Sequence, residues 1–197
     1  MTRRFALLLC LSLALTSLVG CGKSVEGETK RWDANQLSVQ EYTAKYPGFK
    51  GALQERLAAG KTGMKAAEAL SGEEKAKAMG VANEKVNVIL VRFRAVERKM
   101  REYDTLKRDR DLSRLPMGVV RPAMESAEGA VRRTRQMLKT TTPANAGEAI
   151  GRLTSAENVL MKALSPLKRL KSKVRKVKSK ARKARKARKA AKKAAGK

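Results

Sequence analysis

The clearest apolar pattern in the chain begins at Ser71. Met79, Val86, Phe93 and Met100 recur every seven residues, and Ala82, Ile89, Val96 and Tyr103 follow each of them by three. Four consecutive heptads with both seam positions apolar predict a long amphipathic helix. Ser71 and Glu74 have the spacing of a capping box at its start, and the seam turns charged at Lys107 and Arg110. A second helix is predicted from about Pro122 to Thr141, with Pro122 in its first turn and Val120, Ala127, Val131, Met137 and Leu138 as a weaker apolar face. Asn145 and Glu148 are the expected caps of a third, which carries Ile150, Leu153, Leu160, Leu164 and Leu167 on one side. Pro166 should kink or interrupt it, although apolar spacing continues through Leu170 and Val174.

Upstream of Ser71 the pattern weakens. Ser38 and Glu41 suggest a cap for a short helix that Pro47-Gly48 ends, and helical spacing resumes at Phe49, Leu53 and Leu57 before fading over Gly60 to Gly63. Residues 22–37 mix Gly, Ser, Thr and charge without a period and read, with Cys21, as a flexible tether. Short links between amphipathic helices predict an all-α fold, an antiparallel helical bundle or a coiled-coil hairpin. Intrachain packing is the expected use of the Met79 to Tyr103 seam. Self-association or a protein partner is the competing use.

Composition sharpens this outline. The whole chain has only seven aromatic residues, so its core must be built from Leu, Val, Ile, Met and Ala, which suits helices better than a β-sandwich. Lys and Arg number 46 against 18 Asp and Glu, a formal charge of +28. That excess is uneven: residues 168–197 hold 17 basic residues and no acid, whereas residues 22–167 hold 27 basic and 18 acidic. The chain therefore divides into a helical body, residues 38–167, and a basic tail, residues 168–197.

Within the tail, Ala181-Arg182-Lys183 repeats as Ala184-Arg185-Lys186 and Ala187-Arg188-Lys189. A three-residue step on a helix rotates by about −60°, so the alanines spread around the axis and form no stripe. Like charges at i,i+3 and i,i+4 repel, so a disordered or partly helical tail is expected, gaining helix when a polyanion neutralises it. The candidate polyanion-binding residues are Lys176, Lys180, Arg182, Lys183, Arg185, Lys186, Arg188, Lys189, Lys192 and Lys193. No aromatic lies between Lys168 and Lys197, so bases have nothing to stack on and specific nucleic-acid binding is not expected.

The first 20 residues change what that tail can meet. Arg3 and Arg4 precede an apolar run from Phe5 to Val19, and Gly20 stands before Cys21. As a helix the run would rise roughly 22 Å, short of a ~30 Å hydrocarbon core, which favours a removable export signal over a spanning anchor. Leu18-Val19-Gly20-Cys21, placed directly after this run, resembles the lipobox of bacterial lipoprotein precursors. The resemblance implies a diacylglyceryl thioether on Cys21, cleavage between Gly20 and Cys21, and an acyl chain such as palmitate on the new amine. It also implies a membrane partner through that lipid. Gly22 stands where an inner-membrane retention signal would have Asp, so outer membrane facing the periplasm is favoured. Behind such a signal, the tail's partners would be anionic envelope polymers or lipid headgroups.

Two further resemblances concern the tail. Its composition is similar to the Lys/Ala-rich tails of linker histones and histone-like bacterial proteins, which implies nucleic-acid binding if the signal reading is wrong. Murein lipoproteins are acylated helical coiled coils joined to peptidoglycan through a final lysine, and this chain also ends in one, Lys197.

Catalytic chemistry has little to draw on. The chain has no histidine, Cys10 would leave with the signal and Cys21 would be alkylated. Gly60-Lys61-Thr62 looks like the end of a phosphate loop, but Glu55 occupies the place of its first glycine. Ser165-Pro166-Leu167-Lys168 and Lys61-Thr62-Gly63 match serine-acyltransferase elements in reversed order, without the Ser-Asp-Asn element. Asp109 and Asp111, set among Lys107, Arg108, Arg110 and Arg114, are expected to make surface ion pairs. No catalytic, metal or cofactor-binding residue is assigned, and the expectation is a non-enzymatic structural or interaction protein, or an accessory subunit of an envelope complex.

Overall fold

The computed structural model describes residues 24–195, with side chains as far as Arg188. Five α-helices follow one another: α1 (Val25–Lys45), α2 (Lys50–Ala67), α3 (Gly72–Lys107), α4 (Met117–Thr140) and α5 (Ala146–Ala195), with a 3₁₀ turn, Pro47–Phe49, between the first two. No strand occurs among the described residues, and the fold is an all-α bundle. The central element is α3, against which α1, α2 and α5 pack, while α4 lies mainly along α5.

The heptad seam of α3 explains this arrangement. Ala82, Val86, Ile89, Phe93 and Val96 are fully buried, and Met79, Met100 and Tyr103 nearly so. Phe93 sits at the aromatic centre, its ring 4.6 Å from Tyr42, 5.6 Å from Tyr46 and 5.3 Å edge-on from Phe49. The seam is thus spent on α1, α2 and α5 of the same chain. It is not an open face for self-association or a docking partner, because a partner there would have to displace the core.

Three expectations about the first part of the chain need correction. Residues 25–37 are not a flexible tether but the first half of α1, whose N-cap is Ser24, with Oγ accepting from the Gly27 amide at 3.0 Å. Ser38 lies inside that helix and caps nothing. The buried face of α1 is itself a heptad: Glu28, Trp32, Asn35, Val39, Tyr42 and Tyr46. Its two polar members hide the period, and they are satisfied inside the bundle by Asn83 of α3. Asn83 Nδ2 donates to the Glu28 carboxylate at 2.8 Å and its backbone oxygen at 2.9 Å, and Asn35 Nδ2 donates to Asn83 Oδ1 at 3.1 Å.

Likewise, Gly60 to Gly63 do not end α2, which runs on to Ala67. These glycines are where α2 comes closest to its neighbours. A Cβ on Gly60 would lie 2.6 Å from Val86 Cγ2 and 2.7 Å from Trp32 Cζ3, and one on Gly63 would lie 2.9 Å from Ala82 Cβ. The α2–α3 turn passes through Gly72 at φ +54°, a left-handed conformation that costs glycine nothing. Ser71 is the N-cap of α3 in extended conformation, as expected, but its hydroxyl makes no capping bond.

Further along, α4 begins at Met117, a turn and a half ahead of the expected start, and takes Pro122 inside the helix. The predicted cap of α5 is present: the Glu148 amide donates to Asn145 Oδ1 at 2.9 Å and the Ala144 amide to Glu148 Oε2 at 2.7 Å. Glu55 of α2 accepts from the Ala146 amide at 2.7 Å, tying the same helix start to the body. Pro166 does not interrupt α5, which runs unbroken from Ala146 to Ala195. Its apolar row, Leu153, Leu160, Leu164 and Leu167, is fully buried, and Leu170 packs partly against the core. Every buried residue among the described residues lies between Glu28 and Leu167, so residues 24–197 contain all of the core described.

Two glycine substitutions should separate close approach from helix propensity. Gly60→Ala should destabilise the body by about 1–3 kcal/mol through overpacking against Val86 and Trp32. Gly151→Ala, in open space on α5, should stabilise it by about 0.5–1 kcal/mol. Urea unfolding of residues 24–197 followed by circular dichroism measures both, and equal effects would contradict the packing described.

Candidate polyanion-binding surface

Most acidic side chains of the body are paired within it, and this determines where free positive charge begins. On α1 and α3, Glu97 accepts from Tyr46 Oη at 2.9 Å and Tyr42 Oη at 3.5 Å, with the Lys45 ammonium also on it. Burial, reinforced by the Glu97 charge, pushes the Tyr42 phenol up to about 12 and that of Tyr46 higher still. Both therefore stay protonated donors. Lys45, Tyr46, Arg101, Asp104, Arg135 and Lys139 line a cleft of about 360 Å³ beside this cluster. Its cations are partly answered by Glu97 and by Asp104, which lies 3.6 Å from Arg135.

The root of the tail is neutralised in the same manner. Lys168 pairs with Glu102 at 2.6 Å, Lys171 with Asp109 at 2.5 Å, and Lys178 with Asp111. Residues 168, 171, 175 and 178 share one face of α5 at steps of three, four and three, so that face lies along the end of α3 and the turn after it. Asp109 also closes that turn locally, its Oδ1 accepting from the amides of Asp111 at 2.9 Å and Leu112 at 3.3 Å. Asp109 and Asp111 are therefore ion-pair residues, as expected, but with distant Lys171 and Lys178 rather than the local Lys107, Arg108, Arg110 and Arg114.

Past Lys178 the helix leaves the body. Every residue from Arg175 to Arg188 is exposed, and nine of these 14 are Lys or Arg. The expected disordered or partly helical tail is instead helical as far as Ala195. Among the candidate residues, Lys176, Lys180, Arg182, Lys183, Arg185, Lys186 and Arg188 all stand exposed on this helix. Lys189, Lys192 and Lys193 continue its backbone, with side chains outside the described residues, as Lys197 is altogether. Gly20 and Cys21, the cleavage and lipidation positions, also lie outside the described residues.

Sequence reasoning missed Lys168, Lys171 and Lys178 as a docked row distinct from the rest of the tail. The signal was their spacing, which continues the buried row of Leu160, Leu164 and Leu167, set against acids at 102, 109 and 111. The catalytic look-alikes receive no support from their placement. Gly60-Lys61-Thr62-Gly63 is helix interior, with Thr62 Oγ1 donating to the Ala58 carbonyl at 3.1 Å, and Ser165-Pro166-Leu167-Lys168 is helix interior in α5. Neither is a loop that could cradle a phosphate. Among the described residues no group of three or more Cys, Asp or Glu stands where it could hold a metal ion.

Glu102 and Asp109 titrate low. Glu102 is held below its ordinary 4.5 because Lys168 and Lys99 outweigh the opposing desolvation, and Lys171 holds Asp109 below 3.8. Depressed carboxyl values mean that this stabilisation is complete above the ordinary values and is lost as pH falls through the lowered ones. Hydrogen exchange across residues 168–178, corrected for intrinsic rate, should show protection at pH 7 that is lost as pH falls below the ordinary carboxylate range. Asp109→Ala, which removes both turn closure and ion pair, should cost about 1–2 kcal/mol, and Asp109→Asn, which keeps the turn acceptor, less than about 1. No family model, curated protein or solved structure matches this chain.

Proposed function

We propose that this chain is a lipid-anchored, non-enzymatic protein of the bacterial envelope. In this reading Cys21 carries the lipid, the bundle is a spacer, and the projecting part of α5 grips anionic envelope polymers or headgroups. The observation that carries it is the contrast within one helix. Up to Lys178 three basic residues of α5, Lys168, Lys171 and Lys178, are matched by Glu102, Asp109 and Asp111, and beyond it the charged residues described are all cations. Unmatched charge of one sign repels itself and reduces the stability of the state that holds it, so an outside polyanion is its natural complement.

The lipid anchor is supported by Leu18-Val19-Gly20-Cys21 after its apolar run. None of the described helices is long and apolar enough to cross a membrane. An acyl anchor would supply attachment that those helices do not, at about 0.8 kcal/mol per buried CH₂. An accessory role in an envelope complex would have to use a face other than the Met79 to Tyr103 seam. A histone-like nucleic-acid protein is the reading that remains if Cys21 is never exported and acylated.

Two experiments test the two ends separately. Replacing Cys21→Ala and fractionating the cells should move the protein out of the membrane fraction, and a variant still quantitatively membrane-bound in high salt would contradict the anchor. For the tail, residues 24–197 should sediment with anionic vesicles or polymers at low salt and release as salt rises. A chain ending at Ser179, which keeps every core residue and the Lys178 pair, should lose this binding at least tenfold. Equal, salt-insensitive binding by both chains would rule out the electrostatic grip.

A further inference from the structure

The projecting helix also carries information about the shape of what it binds. At about 100° per residue, the nine basic residues between Arg175 and Arg188 are distributed around the whole axis, and the widest sector without one is about 80°. That sector holds only Val177 and Ala184, narrower than the ≳100° apolar stripe of a helix that packs or inserts. A helix lying in a membrane interface needs a large apolar face as well as a basic one. This helix has the second on every side and lacks the first. Against a flat surface about half of its charges would face away, where separation and salt screen them.

Resting on the electrostatic grip proposed above, we infer that the tail's partner is a flexible, linear phosphodiester polymer that runs around the helix, not a bilayer surface. A flexible chain can follow charges around the axis, whereas a plane or a stiff rod meets one side. Charge density fits as well. The 14 exposed residues rise about 21 Å, and with Lys178 taken up by Asp111 the other eight basic residues place a cation every ~2.6 Å of axis. A single strand of B-DNA carries one phosphate per about 3.4 Å of axis, so a flexible strand must wind around the helix to meet cations spaced this densely, and the absence of aromatics makes recognition depend on backbone phosphate. Docking of Lys168, Lys171 and Lys178 on the body holds the root of the helix, leaving its cationic part projecting on all sides.

The test compares two phosphate sources with one protein. Residues 24–197, and the same chain ending at Ser179, are titrated with a long oligothymidylate and with phosphatidylglycerol–phosphatidylcholine vesicles at equal accessible phosphate. At about 0.15 M salt the tail-dependent affinity for the polymer should exceed that for vesicles at least tenfold. Its logarithm should fall with log salt at a slope near −7, as expected when the ten basic residues after Ser179 each neutralise a phosphate of a single strand. A full-length tail carrying Arg182→Gln, Arg185→Gln and Arg188→Gln should reduce that slope by about 2. Tail-dependent vesicle binding equal to or tighter than polymer binding would overturn the inference while leaving the grip intact. Binding to either that is the same with and without the tail would overturn both.

Discussion

Burial of the α3 seam is the interaction on which the rest of the molecule depends. A helix of 36 residues with two apolar positions per turn pair cannot leave that stripe in water, and three other helices exist to cover it. Aromatic residues are few, and four of them are gathered at one point, where Tyr42, Tyr46 and Phe49 surround Phe93. Elsewhere the interior is made by leucine and alanine rows, and by glycines that let α2 approach α1 and α3 closely. The consequence for function is negative and specific. The most conspicuous apolar stripe in the sequence is already occupied within the chain and is not available to a partner.

Electrostatics then divides a single continuous helix into two parts. Individually, exposed pairs such as Lys178 with Asp111 are worth at most about 1 kcal/mol. Their importance is positional. Three of them in one row, continuing the leucine seam of α5, decide at which residue the helix stops belonging to the body. Acids for that purpose come from the last turns of α3 and the turn that follows, so the same central helix that organises the core also sets the length of the projecting arm.

Much of this was legible in the sequence where burial and period coincide. The α3 heptads, the Asn145–Glu148 cap and the leucine row of α5 were read correctly because apolar residues marked every seam position. In α1 the reading failed because Glu28 and Asn35 occupy seam positions, and their partner, Asn83, lies some fifty residues away. In α2 it failed because Gly60 and Gly63 signal a break locally and close packing globally. The extent of the tail helix was underestimated because like-charge repulsion was weighed without the docking of Lys168, Lys171 and Lys178. The root of the candidate surface was therefore hidden for the same reason as α1: its signal lies in long-range pairing of polar groups, which no local period records.

Whether the projecting helix meets envelope polymers or a chromosome turns on whether residues 1–20 are removed as an export signal and Cys21 is acylated, as the proposed function requires. The intact mass of the protein extracted from membranes addresses this most directly. It should correspond to a chain that begins at Cys21 and carries a diacylglyceryl group with or without an additional acyl chain. A chain that retains residues 1–20, or one with Cys21 unmodified, would contradict the envelope assignment and return the basic helix to a nucleic-acid partner.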